Sequence, residues 1–168
     1  MAFCRNLVLT LLLIFSTIPI GAQLSAEVRR SKQITSDSPF PEDHLELVIR
    51  NNGKVVNTEY FYSSYGEATA QIVCDATGNT FILLRHGTGR GTHVRTEDIT
   101  VYKLGKALNE VVTFPISGPA DINSSWEYSM KINKPQSGGL EFNLSRILTG
   151  TGATKYYPED KERVILIK

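Results

Sequence analysis

Apolar residues recur at every second position over most of this chain, and that period constrains it more than any other feature. Leu45, Leu47 and Ile49 alternate with Glu46, Val48 and Arg50. Trp126, Tyr128, Met130 and Ile132 alternate with Ser125, Glu127, Ser129 and Lys131. Leu140, Phe142, Leu144 and Leu148 repeat the pattern against Glu141, Asn143 and Ser145, with Arg146 as the exception. Successive side chains of a strand leave opposite faces, so this spacing predicts half-buried strands, and no segment shows the 3.6-residue spacing of an amphipathic helix.

Turn signals separate the runs. Asn51-Asn52-Gly53-Lys54 lies between two strand-like segments, and both central residues tolerate positive φ, which predicts a two-residue hairpin. Asp75–Asn79 predicts a second hairpin, leading into Phe81-Ile82-Leu83-Leu84, a run suited to a strand covered on both faces. Asn133–Gly139 predicts a long hairpin loop. Within 92–104, Val94 and Ile99/Val101 fall on opposite parities, so a bulge near Thr96–Asp98 is needed to keep one buried face. A strand over 107–114 is expected to end at Pro115, and Arg163–Lys168 is expected to pair inside the sheet. These runs predict an all-β fold: a single antiparallel β-sandwich or barrel of about 8–9 strands.

The N-terminal region reads differently. Arg5 precedes an apolar run from Leu7 to Ile20, followed by Gly21-Ala22, the order of a signal peptide. That run is shorter than the ~20 residues needed to span a bilayer. We therefore expect a signal peptide over 1–22, cleaved after Ala22 or Ala26, then a flexible polar arm over 23–43 and a β domain over 44–168. The chain carries 18 Lys+Arg against 17 Asp+Glu, and loss of Arg5 with the leader leaves it neutral. A neutral chain without a basic excess is not a nucleic-acid binder by charge. Cys74 is then the only thiol, and its parity with Ala70 and Ile72 predicts a buried position. The expected location is secreted or periplasmic, with no stable membrane insertion after leader cleavage.

Chemistry concentrates between residues 85 and 95. Phe81–Leu84 followed by Arg85-His86-Gly87 resembles the opening of the histidine phosphatase family. The resemblance implies His86 as a phosphate-accepting nucleophile and Arg85 as the phosphoryl clamp, with Arg90 as a second contact. It covers one strand and a tripeptide, and the chain departs from the family: the only later histidine is His93, and the partner helices are absent. Gly87, Gly89 and Gly91 are followed by a strand-like segment and not a helix, which points to turn geometry before phosphate binding. Asp75–Leu83 also resembles a turn of β-propeller blades, but about 125 ordered residues supply too few blades for a closed propeller.

Arg85, His86, Arg90, His93 and Arg95 form a local cationic cluster, with Glu97 and Asp98 just beyond. A solvated hairpin face and a contact for an anionic partner both fit it. Tyr62 and Tyr65, in a Tyr/Ser-rich segment, are contact material, with Tyr65 in the loop and Tyr60 and Tyr62 sharing one parity. Paired acids such as Glu42/Asp43 are expected as turn and surface residues. No metal-ligand spacing, nucleophile elbow or cofactor motif occurs, so no cofactor, no metal and no enzymatic role are expected. Asn123-Ser124-Ser125 and Asn143-Leu144-Ser145 match the glycosylation pattern, the second of them within a strand.

The expectation is an exported β domain that binds a partner protein, as an inhibitor- or immunity-type module does. The binding residues are Arg85, His86, Arg90, His93, Arg95, Tyr62 and Tyr65. A small anionic ligand or a glycan is the secondary ligand expectation. The alternative function is a structural or assembly subunit of the cell envelope, marked by an exposed, uncharged edge strand. The remote alternative is a phosphatase acting through Arg85-His86-Gly87.

Overall fold

The structure, a computed structural model, describes residues 23–32, 40–91, 94–121, 123–150 and 158–168. The expected signal peptide, residues 33–39 of the expected arm, and His93 lie outside the described residues. Ten strands and two short 3₁₀ turns, Pro41–Asp43 and Ser64–Gly66, make up the described fold. The strands are β1 (Leu24–Arg30), β2 (His44–Asn51), β3 (Lys54–Tyr62), β4 (Ala68–Cys74), β5 (Thr80–Thr88), β6 (Thr96–Leu104), β7 (Leu108–Asp121), β8 (Ser124–Asn133), β9 (Leu140–Gly150) and β10 (Glu162–Ile167). They form two antiparallel sheets, β1-β2-β3 and β10-β9-β8-β7-β6-β5-β4, each a meander in sequence order.

The tenth strand is β1, inside the segment expected to be a flexible arm. Leu24, Ala26 and Val28 alternate with Ser25, Glu27 and Arg29, and the three apolar residues pack against the inter-sheet core. The alternation is there in the sequence but muted by one small residue. The Asn-Gly hairpin forms as expected: Asn51 pairs with Lys54, with Asn52 at φ 50° and Gly53 at φ 78°.

β5 is buried on both faces, and this organises the molecule. Ile82 and Leu84 join Leu47 and Ile49 of β2 and Tyr102 of β6 in a core between the sheets. Phe81 and Leu83 point the other way, into a second core with Ile99, Phe114, Tyr128 and Phe142. This second core exists because the large sheet forks. β7 and β8 pair only from Ser117↔Glu127 to Asp121↔Ser124. Below that hairpin β7 pairs with β6 alone, and β8 with β9 alone. The limb β8-β9-β10 curls over the limb β4-β5-β6-β7, bringing Phe114 and Phe142 to a centroid distance of 5.4 Å.

The curl is pinned by the Asp75–Asn79 turn. The Asp75 carboxylate accepts hydrogen bonds from the Thr77 and Asn79 backbone N–H groups and both their side chains. It also accepts the Gly139 N–H at 2.7 Å, across the fork from the β8–β9 loop. Burial alone would raise its pKa, but the hydrogen bonds from Asn79, Gly139 and Thr77 outweigh this and hold it well below the ordinary range.

Four local expectations are corrected. Cys74 is exposed: the small sheet covers β4 only as far as Ile72, and Val73 turns into the other core instead. β7 does not stop at Pro115 but runs to Asp121, because register shifts at Glu97/Asp98 and Pro119/Asp121 place the prolines at bulges where no ladder donor is needed. β10 is an edge strand, not an interior one, leaving Val164 57% and Leu166 66% exposed. Leu148 is exposed as well, on the part of β9 that runs beyond the second core.

Candidate functional site

The sequence-predicted residues separate into three places. Arg85 and His86 are neighbours on β5 and so leave opposite faces. Arg85 points to the fork side, where its Nε donates to Glu97 at 3.0 Å and its terminal nitrogen ion-pairs with the same carboxylate. His86 points toward the small sheet and is half-buried, with its ring edge-on to Phe61 at 6.1 Å. Its Nε2 lies 2.9 Å from Thr100 Oγ1, and Thr100 in turn meets Thr113 at 2.8 Å. Burial lowers its pKa despite the opposing pull of Asp98 and Glu110. The two side chains of that pair thus leave opposite faces of β5, which does not favour a joint grip on one phosphoryl group.

Tyr62, Tyr65 and Arg90 do converge, and they converge on a residue that sequence reasoning took for a surface acid. Asp43 is fully buried at the end of the Pro41–Asp43 turn. Its Oδ2 accepts from Tyr62 Oη at 2.6 Å and from Arg90 Nε at 3.0 Å, and its Oδ1 accepts from Arg90 at 2.7 Å. A second Arg90 nitrogen contact reaches Glu42 at 2.8 Å. Burial pushes the Asp43 carboxyl up, but the Tyr62 and Arg90 hydrogen bonds prevail and its pKa lies below the ordinary 3.8. Arg90 is correspondingly raised, first by Asp43. The bidentate fork is the strong form of an Arg–carboxylate pair.

Aromatic rings enclose this pair. The Arg90 guanidinium lies 3.7 Å from the Phe40 ring centroid and 4.8 Å from that of Tyr65. Arg95 approaches the same Tyr65 ring at 5.3 Å and pairs with Glu67 at 2.5 Å. Tyr65 Oη accepts the Gly91 N–H at 2.9 Å, tying the Ser64–Gly66 turn to the β5–β6 loop. Tyr65 itself stands at φ 62°, an uncommon backbone for a bulky residue. Gly66 beside it, at φ 67°, lies so close to Glu42 that a Cβ would come within 2.7 Å of its carbonyl oxygen. Beneath, buried Ser63 accepts the Gly87 N–H through its hydroxyl at 2.9 Å and donates its own N–H to the Asp43 backbone carbonyl. Three chain segments distant in sequence are thus clasped at one end of the sheets.

The cationic cluster of the sequence is therefore no free positive patch: Arg85, Arg90 and Arg95 each meet carboxylates. The missed partners are Phe40, Glu42, Asp43 and Glu67. Phe40, Glu42 and Asp43 have one local signal, Phe-Pro-Glu-Asp ahead of the first alternating run, Glu67 follows the Tyr65-Gly66 turn, and nothing local names a partner across the fold.

Among the described residues no group of three or more His, Cys, Asp or Glu stands where it could hold a metal ion. Likewise, none of their helices is long and apolar enough to cross a membrane. Searches against protein-family models, curated proteins and solved structures find no match for the chain.

Proposed function

We propose that this chain is an exported, sandwich-like β domain that binds a partner protein, as an inhibitor- or immunity-type module does, and performs no catalysis. One observation carries the reading. The rings of Phe40, Tyr62 and Tyr65 stay exposed although each is tethered to the Arg90–Asp43 clasp. Exposed aromatics on a rigid mount are what an interface anchor requires, because little side-chain entropy remains to be lost on binding. The uncommon backbone of Tyr65 points the same way, since such strain collects at working surfaces. Export rests on the order of charge, apolar run and small residues in 1–22.

The test is affinity capture with the purified chain, followed by replacement of both tyrosines by alanine. Loss of the captured partner by a variant that still unfolds cooperatively supports the reading, and unchanged capture refutes it.

A second reading, an envelope assembly subunit, has its own observation. β10 ends the large sheet with an edge that no described strand pairs and exposes Val164 and Leu166, the arrangement that invites strand addition from another chain. Capture that survives the tyrosine changes but is lost with Leu166→Lys would favour it.

A further inference from the structure

The outer edge of the large sheet carries a charge pattern that is complementary to itself. β10 reads Glu162-Arg163-Val164-Ile165-Leu166-Ile167, followed by Lys168. It pairs with β9 on one side, and no described strand pairs with it on the other. One hydrogen bond shows which backbone groups the open side presents. Just before the strand, the Arg146 N–H donates to the Lys161 carbonyl at 2.8 Å, so residue 161 turns its backbone groups toward β9. In an antiparallel ladder the N–H and C=O of one residue point to the same side, and consecutive residues alternate. The backbone groups of Arg163, Ile165 and Ile167 therefore belong to the β9 ladder, and those of Glu162, Val164 and Leu166 face the open edge.

The same even-numbered residues place their side chains on the outer face, because successive strand side chains alternate. Ile167, on the other parity, is buried in the second core, whereas Val164 and Leu166 stand 57% and 66% exposed. Sheets commonly block such an edge with a charge or a proline within the strand. Here the outer-face charges sit only at the ends: Glu162 at one and Lys168 at the other, both exposed.

That placement selects the partner. A two-fold axis normal to the sheet, passing beside Ile165, sets two copies of β10 antiparallel with their outer faces on the same side. Even residues then meet even residues, so open backbone groups meet open backbone groups. Val164 lies opposite Leu166 of the second copy, and Glu162 lies opposite Lys168 of the second copy. Both charges are answered, and the apolar pairs lie between them. A parallel arrangement would set Glu162 against Glu162 and Lys168 against Lys168, and like charges directly opposite are destabilising. A slip of one residue would turn the open groups of one copy toward groups already bonded to β9 in the other. We infer that two copies of this chain pair through their β10 edges, antiparallel, so that the large sheet continues from one molecule into the next. This rests on the edge that the assembly reading uses and names the strand that is added there; it is independent of the aromatic clasp. One pair of six-residue strands is a small interface, so the dimer is concentration-dependent and not permanent.

Sedimentation equilibrium of the purified chain over a concentration series tests this, with Glu162→Lys, Lys168→Glu and an equimolar mixture of those two variants. The unsubstituted chain is expected to show a monomer–dimer equilibrium. Each single substitution sets like charges opposite one another at both ends of the strand pair. It is expected to weaken dimerisation about tenfold, with the unfolding midpoint at low protein concentration unchanged because both side chains are exposed. In the mixture, a chain with lysine at both positions meets a chain with glutamate at both, and association is expected to return to within about twofold of the original as a heterodimer. The proposal is overturned by a chain that stays monomeric up to about 0.5 mM, by single substitutions that leave association unchanged, or by a mixture that associates no better than its components. Capture of a different protein by a monomeric chain, lost with Leu166→Lys, also overturns it but leaves the assembly reading standing, so the two fail separately.

Discussion

Replacing Asp43 by alanine tests the clasp most directly. The substitution removes three charge-assisted hydrogen bonds at 2.6, 2.7 and 3.0 Å from a fully buried carboxylate. Each such bond is worth about 1.5–3 kcal/mol before the burial cost of the carboxylate is set against it. That burial cost is several kcal/mol and vanishes with the carboxylate, while Arg90 keeps Glu42 and Tyr62 gains water. The net loss expected is about 2 kcal/mol, or about 5–8 °C in unfolding midpoint for a domain of this size.

Acid supplies the second arm of that experiment. The Asp43 pKa is below 3.8 in the folded chain, so the folded state binds fewer protons than the unfolded state between the two values. Its contribution is therefore fully present above 3.8 and is lost as pH falls through the lower folded value. Urea unfolding of wild type and Asp43→Ala at pH 7 should show the full gap, and as the pH is taken down below 3.8 the gap should narrow. A midpoint shift under about 1 °C, or a gap of the same size at both pH values, would refute the claim that the buried carboxylate organises this end of the molecule.

Three further outcomes are expected. Cys74 should react with a thiol reagent at native-state rates, without the slow phase of an unfolding-limited thiol, because it lies exposed at the end of β4; labelling only in denaturant would contradict the placement of that strand end. Under the proposal of export, the mature N-terminus read by sequencing should be Gln23, since cleavage after Ala26 would delete the first three residues of β1, Leu24 to Ala26, along with the Gln23–Asn52 bonds at 2.9 and 3.0 Å; a start at Glu27 would show that part of β1 to be dispensable. Leu166→Lys should shift the unfolding midpoint by no more than about 1–2 °C, because that side chain is 66% exposed on an edge strand, and a larger loss would mean that it is covered.

The fold was legible wherever local periodicity and turn chemistry decide structure. The Asn51–Lys54 hairpin, the double burial of Phe81–Leu84 and the Trp126–Ile132 alternation each follow from a few adjacent residues. What local pattern could not show was the fork. Whether Cys74, Leu148 or Leu166 is covered depends on how far one layer extends over another, and period two names two faces without saying which is roofed. β7 shows the same limit: a proline reads as a strand end unless the strand bulges beside it, and the extra residue here, Ile116 of β7, is set by the register against β6 and not by any local signal.

The site was legible in part for a related reason. Tyr62, Tyr65 and Arg90 do gather, but the cationic cluster does not survive folding. Adjacent strand residues diverge, which separates Arg85 from His86, and the carboxylates that answer Arg90 and Arg95 come from Asp43 and Glu67 across the sheets. Counting like charges along a sequence therefore overstates their field whenever partners arrive from distant segments.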